Sequence, residues 1–368
     1  MKNKESTRKK IVWQRFKSNK LAFLGVFILA FFVFLSIFAE FLAPYSGQAN
    51  TKNNQYLSGP PQTIHFCDGD GCSLRPFVYK LVSRYDIIEK SYTVVKVTQN
   101  DIPVKLPIYF FVKGSEYRLW WIFKSDRHLF GVEDGMIHLF GTDKSGIDLF
   151  SRLMFATRTS LTIGVLGVLL AFIISLILGG IAGYFGGQID NIIQHFTDIV
   201  RVLPEIPLFM ALSATFPIDW SNKQVFFAMT IVLGFTSWPT LARRIRTHIL
   251  SIRQEDYVKA ARIYGASPFW IIRKHLLPSF LGYIIVELII NFPYMILKET
   301  SLSIVGLGLT RPTMSWGVLL QEMTTIESIQ LTPWYFIPLL FFMTAVLAFA
   351  MVGDGMRQAI NPQMRKPN

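Results

Sequence analysis

Long apolar runs constrain this chain more than any other feature of its sequence. They alternate with charged segments, and their lengths suit helices that cross a hydrocarbon core of about 30 Å. Such a pattern is typical of a membrane protein with several spans. We therefore predict an all-α polytopic membrane protein with about six transmembrane helices, at residues 21–43, 161–185, 191–216, 225–241, 281–297 and 334–352.

The placement of positive charge predicts the orientation. Residues 1–20 carry eight Lys and Arg against one Glu, and residues 242–278 carry another eight. Both segments are expected inside, because cytoplasmic loops are rich in these residues. The first run is too long for a signal peptide, and Pro44 stands where cleavage needs a small residue. We assign the net charge of +13 to topology and acidic headgroups rather than to nucleic acid.

Residues 44–158 predict a small β-containing insert outside the membrane. Polar and apolar residues alternate at 91–98, 106–113 and 116–123, which is the period of a strand. Gly114 and Ser115 between the last two stretches predict a two-residue hairpin turn.

The only two cysteines lie in this insert. Cys67 and Cys72 enclose Asp-Gly-Asp-Gly, whose glycines permit a tight loop. In an oxidising compartment this spacing favours a disulfide. Free thiols are one alternative, and a weak cation site at Asp68 and Asp70 is another.

The loop 256–278, DYVKAARIYGASPFWIIRKHLLP, is polar and basic between two apolar runs. Its first part predicts a short helix, and Gly265 predicts the stop, since glycine tolerates the left-handed conformation that ends helices. Ser267 and Pro268 suit the cap and first turn of a second short helix. The spacing alone fits two short helices joined by a glycine elbow and an ordinary solvated loop equally well.

The same loop resembles the "EAA" loop of the permease subunits of bacterial ABC importers, which docks into a cleft on a cytoplasmic ATPase. Lys259 stands where the family has its glutamate, so this chain departs from the pattern there. The resemblance implies a coupling role for these residues: Asp256, Lys259, Ala260, Ala261, Gly265, His275, Leu277 and Pro278.

A second motif precedes the second apolar run. Taken alone, Asp143 and Asp148 would suggest a metal site. The pattern G-T-D-x-x-G-x-D-x-x-S-R instead resembles the C-type permeases of oligopeptide, dipeptide and nickel importers, as do residues 299–308 and the Ser-Trp-Gly at 315–317. The signature residues are Gly141, Thr142, Asp143, Gly146, Asp148, Ser151 and Arg152.

Glu287 and Glu299 are carboxylates placed in or next to the fifth apolar run. A carboxylate inside a membrane is costly unless it faces protein or a water-filled path. We therefore predict that both acids lie between helices or on the translocation path.

The resemblance implies the type I ABC importer permease fold. The expected organisation is a basic cytoplasmic N-terminus at 1–20, a first transmembrane helix at 21–43, the insert at 44–158, a five-helix core at 159–353 with its coupling loop at 242–278, and a cytoplasmic tail at 354–368.

The implied function is that of a non-enzymatic transport subunit in the bacterial inner membrane, with both termini in the cytoplasm. It would form half of the pathway with a related B-type permease. Two cytoplasmic ATPases, which bind ATP and Mg²⁺, and an external solute-binding protein would complete the importer. This chain would bind no cofactor, metal or nucleic acid.

Three alternatives stay open at this point. An ion-coupled secondary transporter would need intramembrane charges for an ion path, and Glu287 is one. An integral-membrane enzyme is not favoured, because the sequence contains no P-loop, HExxH or nucleophile–base motif. Within the importer family, nickel chelates and oligosaccharides compete with dipeptides and oligopeptides as the substrate.

Overall fold

The computed structural model of the protein describes residues 2–46, 53–68, 71–86, 91–99, 102–119, 122–217, 219–276, 278 and 281–360. The chain divides into two compact units. The first unit comprises Met1–Ala30, Thr162–Leu302 and Thr344–Asn368, and the second comprises Phe31–Leu161 and Ser303–Met343.

Helices form most of the described chain. In order they are α1 Lys2–Ser18, α2 Lys20–Ile37, α3 Ala39–Leu42, α4 Leu149–Phe185, α5 Gly187–Val202, α6 Glu205–Ala214, α7 Asn222–Ile252, α8 Asp256–Ile263, α9 Pro268–Ile271, α10 Leu281–Ile304, α11 Trp316–Gln321, α12 Ile326–Leu331 and α13 Phe336–Ile360. A π-helical turn, Ile272–Leu276, follows α9, and a 3₁₀ turn, Pro333–Tyr335, precedes α13.

Four of the described helical segments are long and apolar enough to cross a membrane. They are Lys20–Ile37, Leu149–Phe185, Asn222–Ile252 and Pro333–Ile360. Helix α10 contains the predicted fifth span and has 24 residues, with Pro293 in its interior.

The predicted third span, 191–216, is wrong as a single helix. The chain leaves the helical conformation at Leu203 and Pro204, whose ψ angles are 123° and 124°. Proline disfavours the helical conformation of the residue before it, so α5 ends at Val202 and a separate ten-residue α6 begins at Glu205.

The predicted fourth span, 225–241, ends too early. Helix α7 begins at a capping box, in which Gln224 accepts the Ser221 backbone N–H at 2.8 Å, and runs on to Ile252. Its last eleven residues include three arginines that the sequence analysis assigns to a loop. Each of these arginines pairs with an acid of another helix, and this allows the helix to continue.

Nine strands lie between α3 and α4 in the described residues: β1 His65–Asp68, β2 Gly71–Tyr79, β3 Leu81–Asp86, β4 Ser91–Lys96, β5 Thr98–Gln99, β6 Ile102–Pro103, β7 Lys105–Pro107, β8 Tyr109–Leu119 and β9 Phe123–Gly131. The pairings between them are antiparallel. Strands β1, β2 and β7 form one sheet, and β3–β4, β5–β6 and β8–β9 form separate pairs.

The hairpin turn predicted at Gly114 and Ser115 is wrong. Both residues lie inside β8, where the register with β9 shifts between Lys113 and Tyr117. A bulge accommodates extra residues within a strand and bends it. Glycine and serine therefore mark an irregularity of the strand rather than its end.

Each unit has its own apolar core. In the first unit, Phe16 and Ala22 pack against Val352 and Ala359. In the second, the aromatic ring of Phe32 lies edge-on to Trp316 at 5.8 Å. Four further residues of the second unit form a small core beneath the strands, namely Val78, Leu106, Ile108 and Ile137.

Candidate functional site

The loop after α7 folds as two short helices at an elbow. Helix α8 ends in a Schellman motif, in which the N–H of Ala266 donates to Ala261 at 3.1 Å and the N–H of Gly265 donates to Arg262 at 3.0 Å. The motif needs a left-handed residue, and Gly265 has φ +79°. Ser267 then caps α9 by accepting the N–H of Trp270 at 3.3 Å.

An apolar cluster anchors this elbow to the long helices of the same unit. Val258, Ile271 and Leu276 are buried on its inner side. They pack with residues of α4, α7 and α10, namely Tyr184, Leu241, Ile245, Ile249 and Ile284. The elbow is therefore held by buried side chains and does not behave as an independent solvated loop.

The outer side of the elbow is apolar as well. Tyr264 is 90% exposed, Ile263 84% and Phe269 72%, with Tyr257 and Trp270 beside them. Water-exposed aromatic residues grouped in this way are unusual on a surface with no binding partner. We call these five residues the elbow surface.

The predicted coupling residues lie around this surface. Ala260, Lys259 and Pro278 are exposed, and Ala261 packs partly on the inner cluster. Lys259 lies 3.7 Å from Asp256, and the ring of His275 lies edge-on to Trp270 at 5.0 Å. Leu277 falls outside the described residues.

In the second unit, the signature residues 141–152 form a buried ionic network. Arg152 is buried and donates to Asp143 Oδ2 at 2.9 Å and to both oxygens of Glu322, at 2.5 and 2.9 Å. Arg311 donates to the same two acids, at 3.1 and 2.9 Å. Burial would raise the pKa of Glu322, but Arg152 and Arg311 lower it below its ordinary value. Glu322 is therefore ionised at neutral pH.

The other signature residues shape the turn around this network. Asp143 Oδ1 accepts the N–H groups of Ser145 and Ile147, both at 2.8 Å. Asp148 accepts the N–H of Ser151 at 2.7 Å at the start of α4 and contacts the His138 ring at 3.1 Å. Gly141 and Gly146 have φ values of +78° and +76°, and Thr142 is buried against Gly59.

Asp143 and Asp148, which taken alone suggest a metal site, instead accept hydrogen bonds from backbone N–H groups, and Asp143 also accepts from Arg152. Within the described part of the chain, no group of three or more His, Cys, Asp or Glu side chains could hold a metal ion. The sequence did not point to Glu322 or Arg311 as parts of the network, because they lie far along the chain.

Three arginines near the end of α7 each pair with an acid of another helix. Arg243 pairs with Asp198 and Arg246 with Asp190, both on α5. Arg244 donates to Glu287 on α10 at 2.5 Å. Glu287 is buried, and it also accepts from Asn291 at 3.3 Å. Glu287 is therefore paired with Arg244, a residue of the predicted loop 242–278.

Glu299, the other predicted acid of α10, is almost fully buried. The hydroxyl of Thr300 lies 3.5 Å from its carboxylate. Glu299 directly follows Lys298, which reaches back to Glu205 of α6 and Ser237 of α7.

Comparison with known proteins gives the family, and the matched region includes the loop 256–278. Residues 175–366, just over half of the chain, match the family described as binding-protein-dependent transport system inner membrane component. The chain belongs to this family. Residues 7–61 also match the N-terminal transmembrane domain of oligopeptide transport permease C. The resemblance to C-type permease subunits is therefore confirmed.

Relatives within the family carry peptide-transport names. The chain is 29% identical over 356 residues to the dipeptide transport system permease protein DppC of Bacillus subtilis, covering 96% of this chain and 85% of that protein. It is 33% identical over 230 residues to the oligopeptide permease OppC of Bacillus subtilis, and 36% over 229 residues to DppC of Alkalihalophilus pseudofirmus, covering in each case 62% of this chain and 73% of that protein.

Among solved structures, the chain is similar to one of the MetNI methionine ABC transporter in an inward-facing conformation. The identity is 19% and the TM-score 0.45, and the match covers 57% of this chain and 96% of that chain. The family assignment does not depend on it.

Glu287 offers a test of the helix contacts in this permease. Glu287→Leu removes the buried carboxylate to which Arg244 and Asn291 donate, so we expect reduced assembly and transport. Glu287→Gln keeps a hydrogen-bond acceptor and is expected to stay near wild type. Complex yield and peptide uptake would be measured for both. The double variant Glu287→Leu/Arg244→Met should regain assembly, and wild-type behaviour of Glu287→Leu alone would contradict the prediction.

Cys67 and Cys72 face each other across β1 and β2, with Cα atoms 3.9 Å apart and their sulfurs bonded. Disulfide formation in cells stays a prediction, and we expect it in the mature permease. Alkylation before and after reduction, read by mass spectrometry, should label these cysteines only after reduction. Complete labelling without reductant would contradict it. Cys67→Ser/Cys72→Ser is expected to leave transport largely intact, because β1 is a short strand of an exposed hairpin.

Proposed function

We propose that this chain is the C-type transmembrane permease of an ATP-driven importer of dipeptides or oligopeptides. Its family and the peptide-transport names of its relatives support the substrate class. The alignment with a dipeptide permease covers most of this chain and most of that relative. The subunit itself is a transport component, and ATP and Mg²⁺ would be bound by partner ATPases.

The observation that carries the coupling role is the elbow surface. Five large apolar side chains are exposed on a rigid, Schellman-capped elbow. Burying them in a cleft of an ATPase would be favourable, at about 25 cal/mol per Å² of apolar area. Lys259, at the position of the family's glutamate, is exposed on α8, so the contact would be mainly apolar rather than dependent on that glutamate.

Movement of the docked elbow would reach the membrane helices through the inner cluster. Val258 and Leu276 pack with Ile245 and Ile249 of α7 and with Ile284 of α10. Close-packed side chains transmit a shift because they leave little free space. ATP-driven closure of the ATPases would thus tilt α7 and α10 together, which is what alternating access requires of this subunit.

The rest of the assembly is proposed on the same basis. The chain would pair with a B-type permease, carry two ATPases on the cytoplasmic side and receive peptide from an external solute-binding protein. It would cross the bacterial inner membrane six times, with both termini inside, as the basic residues 1–20 suggest. The strands β1–β9 would then lie outside.

Reconstitution tests the proposal. The permease pair, ATPases and solute-binding protein would be placed in liposomes with labelled dipeptide, oligopeptide, nickel chelate or oligosaccharide. We expect peptide uptake to require ATP on the side of the membrane that carries the ATPases. Uptake should persist when ionophores collapse the ion gradients. Uptake driven by an ion gradient without ATP would favour a secondary transporter instead. Uptake of nickel chelate or oligosaccharide but not of peptide would refute the substrate class.

A further inference from the structure

A cavity of about 240 Å³ lies among three helices of the first unit. Helices α7 and α10 each contribute one face with the spacing i, i+3, i+4, i+7, and α4 closes the third side with Val168 and Ala171. The α7 residues are Ser237, Thr240, Leu241 and Arg244, and the α10 residues are Asn291, Tyr294, Met295 and Lys298. Six of these ten side chains are polar, in helices that are otherwise mostly apolar.

A second cavity of about 140 Å³ shares Ser237, Thr240 and Lys298 with the first and extends to Arg201 and Glu205. The two cavities adjoin at these three side chains, and we call the pair the groove along α7. Ionisable residues inside membrane-spanning segments are rare and usually mark a path for substrate or ions.

Two cations stand at different positions along this groove. Lys298 Nζ donates to Ser237 Oγ at 3.2 Å and to Glu205 at 2.6 Å. Arg244 lies seven residues beyond Ser237 on α7, which corresponds to about 10 Å along a helix. The lysine is therefore near one end of the first cavity and the arginine near the other.

The two cations differ in how firmly their counter-ions hold them. The carboxylate of Glu287 is buried behind Arg244, with only 8% of its side chain exposed, whereas Glu205 is 49% exposed beside Lys298. An ion pair with an exposed carboxylate contributes less free energy than one with a buried carboxylate that accepts further hydrogen bonds. Lys298 is thus the cation whose partner another carboxylate can replace.

We propose that this groove binds a short peptide, with the peptide's C-terminal carboxylate on Lys298 in place of Glu205. An extended peptide spans about 3.3–3.6 Å per residue, so about three residues reach from Lys298 to Arg244. The N-terminal ammonium of the peptide does not meet an unpaired cation there, because Glu287 neutralises Arg244. Ser237 and Asn291 line the space between and can hydrogen-bond the peptide backbone. The inference rests on the proposed peptide-import function and adds a contact site within the permease itself.

The test uses the assembled permease–ATPase complex in lipid nanodiscs without solute-binding protein. Trialanine and trialanine amide would be titrated separately and binding followed by saturation-transfer NMR. Wild type should bind trialanine about tenfold or more tightly than the amide, since only the acid has a carboxylate for Lys298. In Lys298→Met this acid–amide difference should vanish. Lys223→Met, which removes a lysine outside the groove, should keep it.

Glu205→Gln provides a second variant that retains the lysine. It removes the competing carboxylate, so trialanine should bind at least as tightly as in wild type, with the preference for the acid preserved. If Lys298→Met does not assemble, the preference of Glu205→Gln for trialanine over its amide still tests the peptide site. Absence of trialanine binding in wild type, or an acid preference that survives in Lys298→Met or is lost in Glu205→Gln, would overturn the inference.

ATP-driven uptake by the same variants reconstituted in liposomes, with solute-binding protein added, separates this inference from the proposed function. Uptake of trialanine together with an unchanged acid–amide difference in Lys298→Met would leave the importer standing and remove the groove site. Failure to transport any peptide would remove the proposed function as well.

Discussion

Gly265→Val is expected to reduce ATP-driven peptide uptake by about tenfold or more. The ATPases would either stay bound and hydrolyse ATP without transport, or separate from the complex. The reason is backbone strain rather than a clash, because Gly265 has φ +79° and a Cβ at this position would meet no other described atom within 4 Å. A left-handed conformation costs an L-residue about 1–2 kcal/mol, and a β-branched residue is worse. The Schellman motif would open, and the elbow surface on Tyr264 and Phe269 would lose its fixed geometry.

A graded series makes this prediction specific. Gly265→Asn should retain most coupling, since asparagine tolerates the left-handed region, and Gly265→Ala should be intermediate. Gly187→Val is a matched control, because Gly187 also has positive φ, +59°, with open space around it, but lies outside the elbow. Peptide imported per ATP hydrolysed and co-purification of the ATPases are the measurements. Equal coupling in wild type and Gly265→Val would contradict the docking role.

The elbow could be predicted because its signals are local. Gly265 ends one helix, and Ser267 and Pro268 begin the next within three residues. Each of these residue types favours one backbone geometry whatever its tertiary surroundings. The large exposed side chains at 263, 264 and 269 were not predicted, since exposure depends on what the helix packs against.

The ionic contacts could not be predicted, because they join residues far apart in the chain. Arg244 and Glu287 are 43 residues apart, and Arg152 and Glu322 are 170 apart. Charged residues directly after an apolar run are typical of the solvated end of a span, which is why the sequence predicts an end at Leu241. The structure instead continues the helix through this charged segment, where acids of α5 and α10 pair with its arginines.

Arg152→Leu is expected to have the largest effect on stability. Arg152 is buried between Asp143 and Glu322, and its loss leaves two carboxylates that Arg311 alone must neutralise. Removing one partner of a buried ion pair typically costs about 3–5 kcal/mol, because the remaining charge stays buried and unpaired. We expect low yield of the permease and a lower denaturation temperature of the purified complex, with uptake lost in proportion to the folded fraction.

Two comparisons decide whether the loss of charge balance is the cause. Arg152→Leu combined with Glu322→Gln leaves a single carboxylate, Asp143, paired with Arg311, and should recover part of the lost stability. Arg118→Leu removes an exposed arginine of β8 and should change the stability by less than about 0.5 kcal/mol, as surface changes usually do. If Arg152→Leu denatured like Arg118→Leu, the network would not stabilise the second unit. If the double variant Arg152→Leu/Glu322→Gln were no more stable than Arg152→Leu, the loss would come from the missing side-chain volume and hydrogen bonds of Arg152 rather than from unpaired charge.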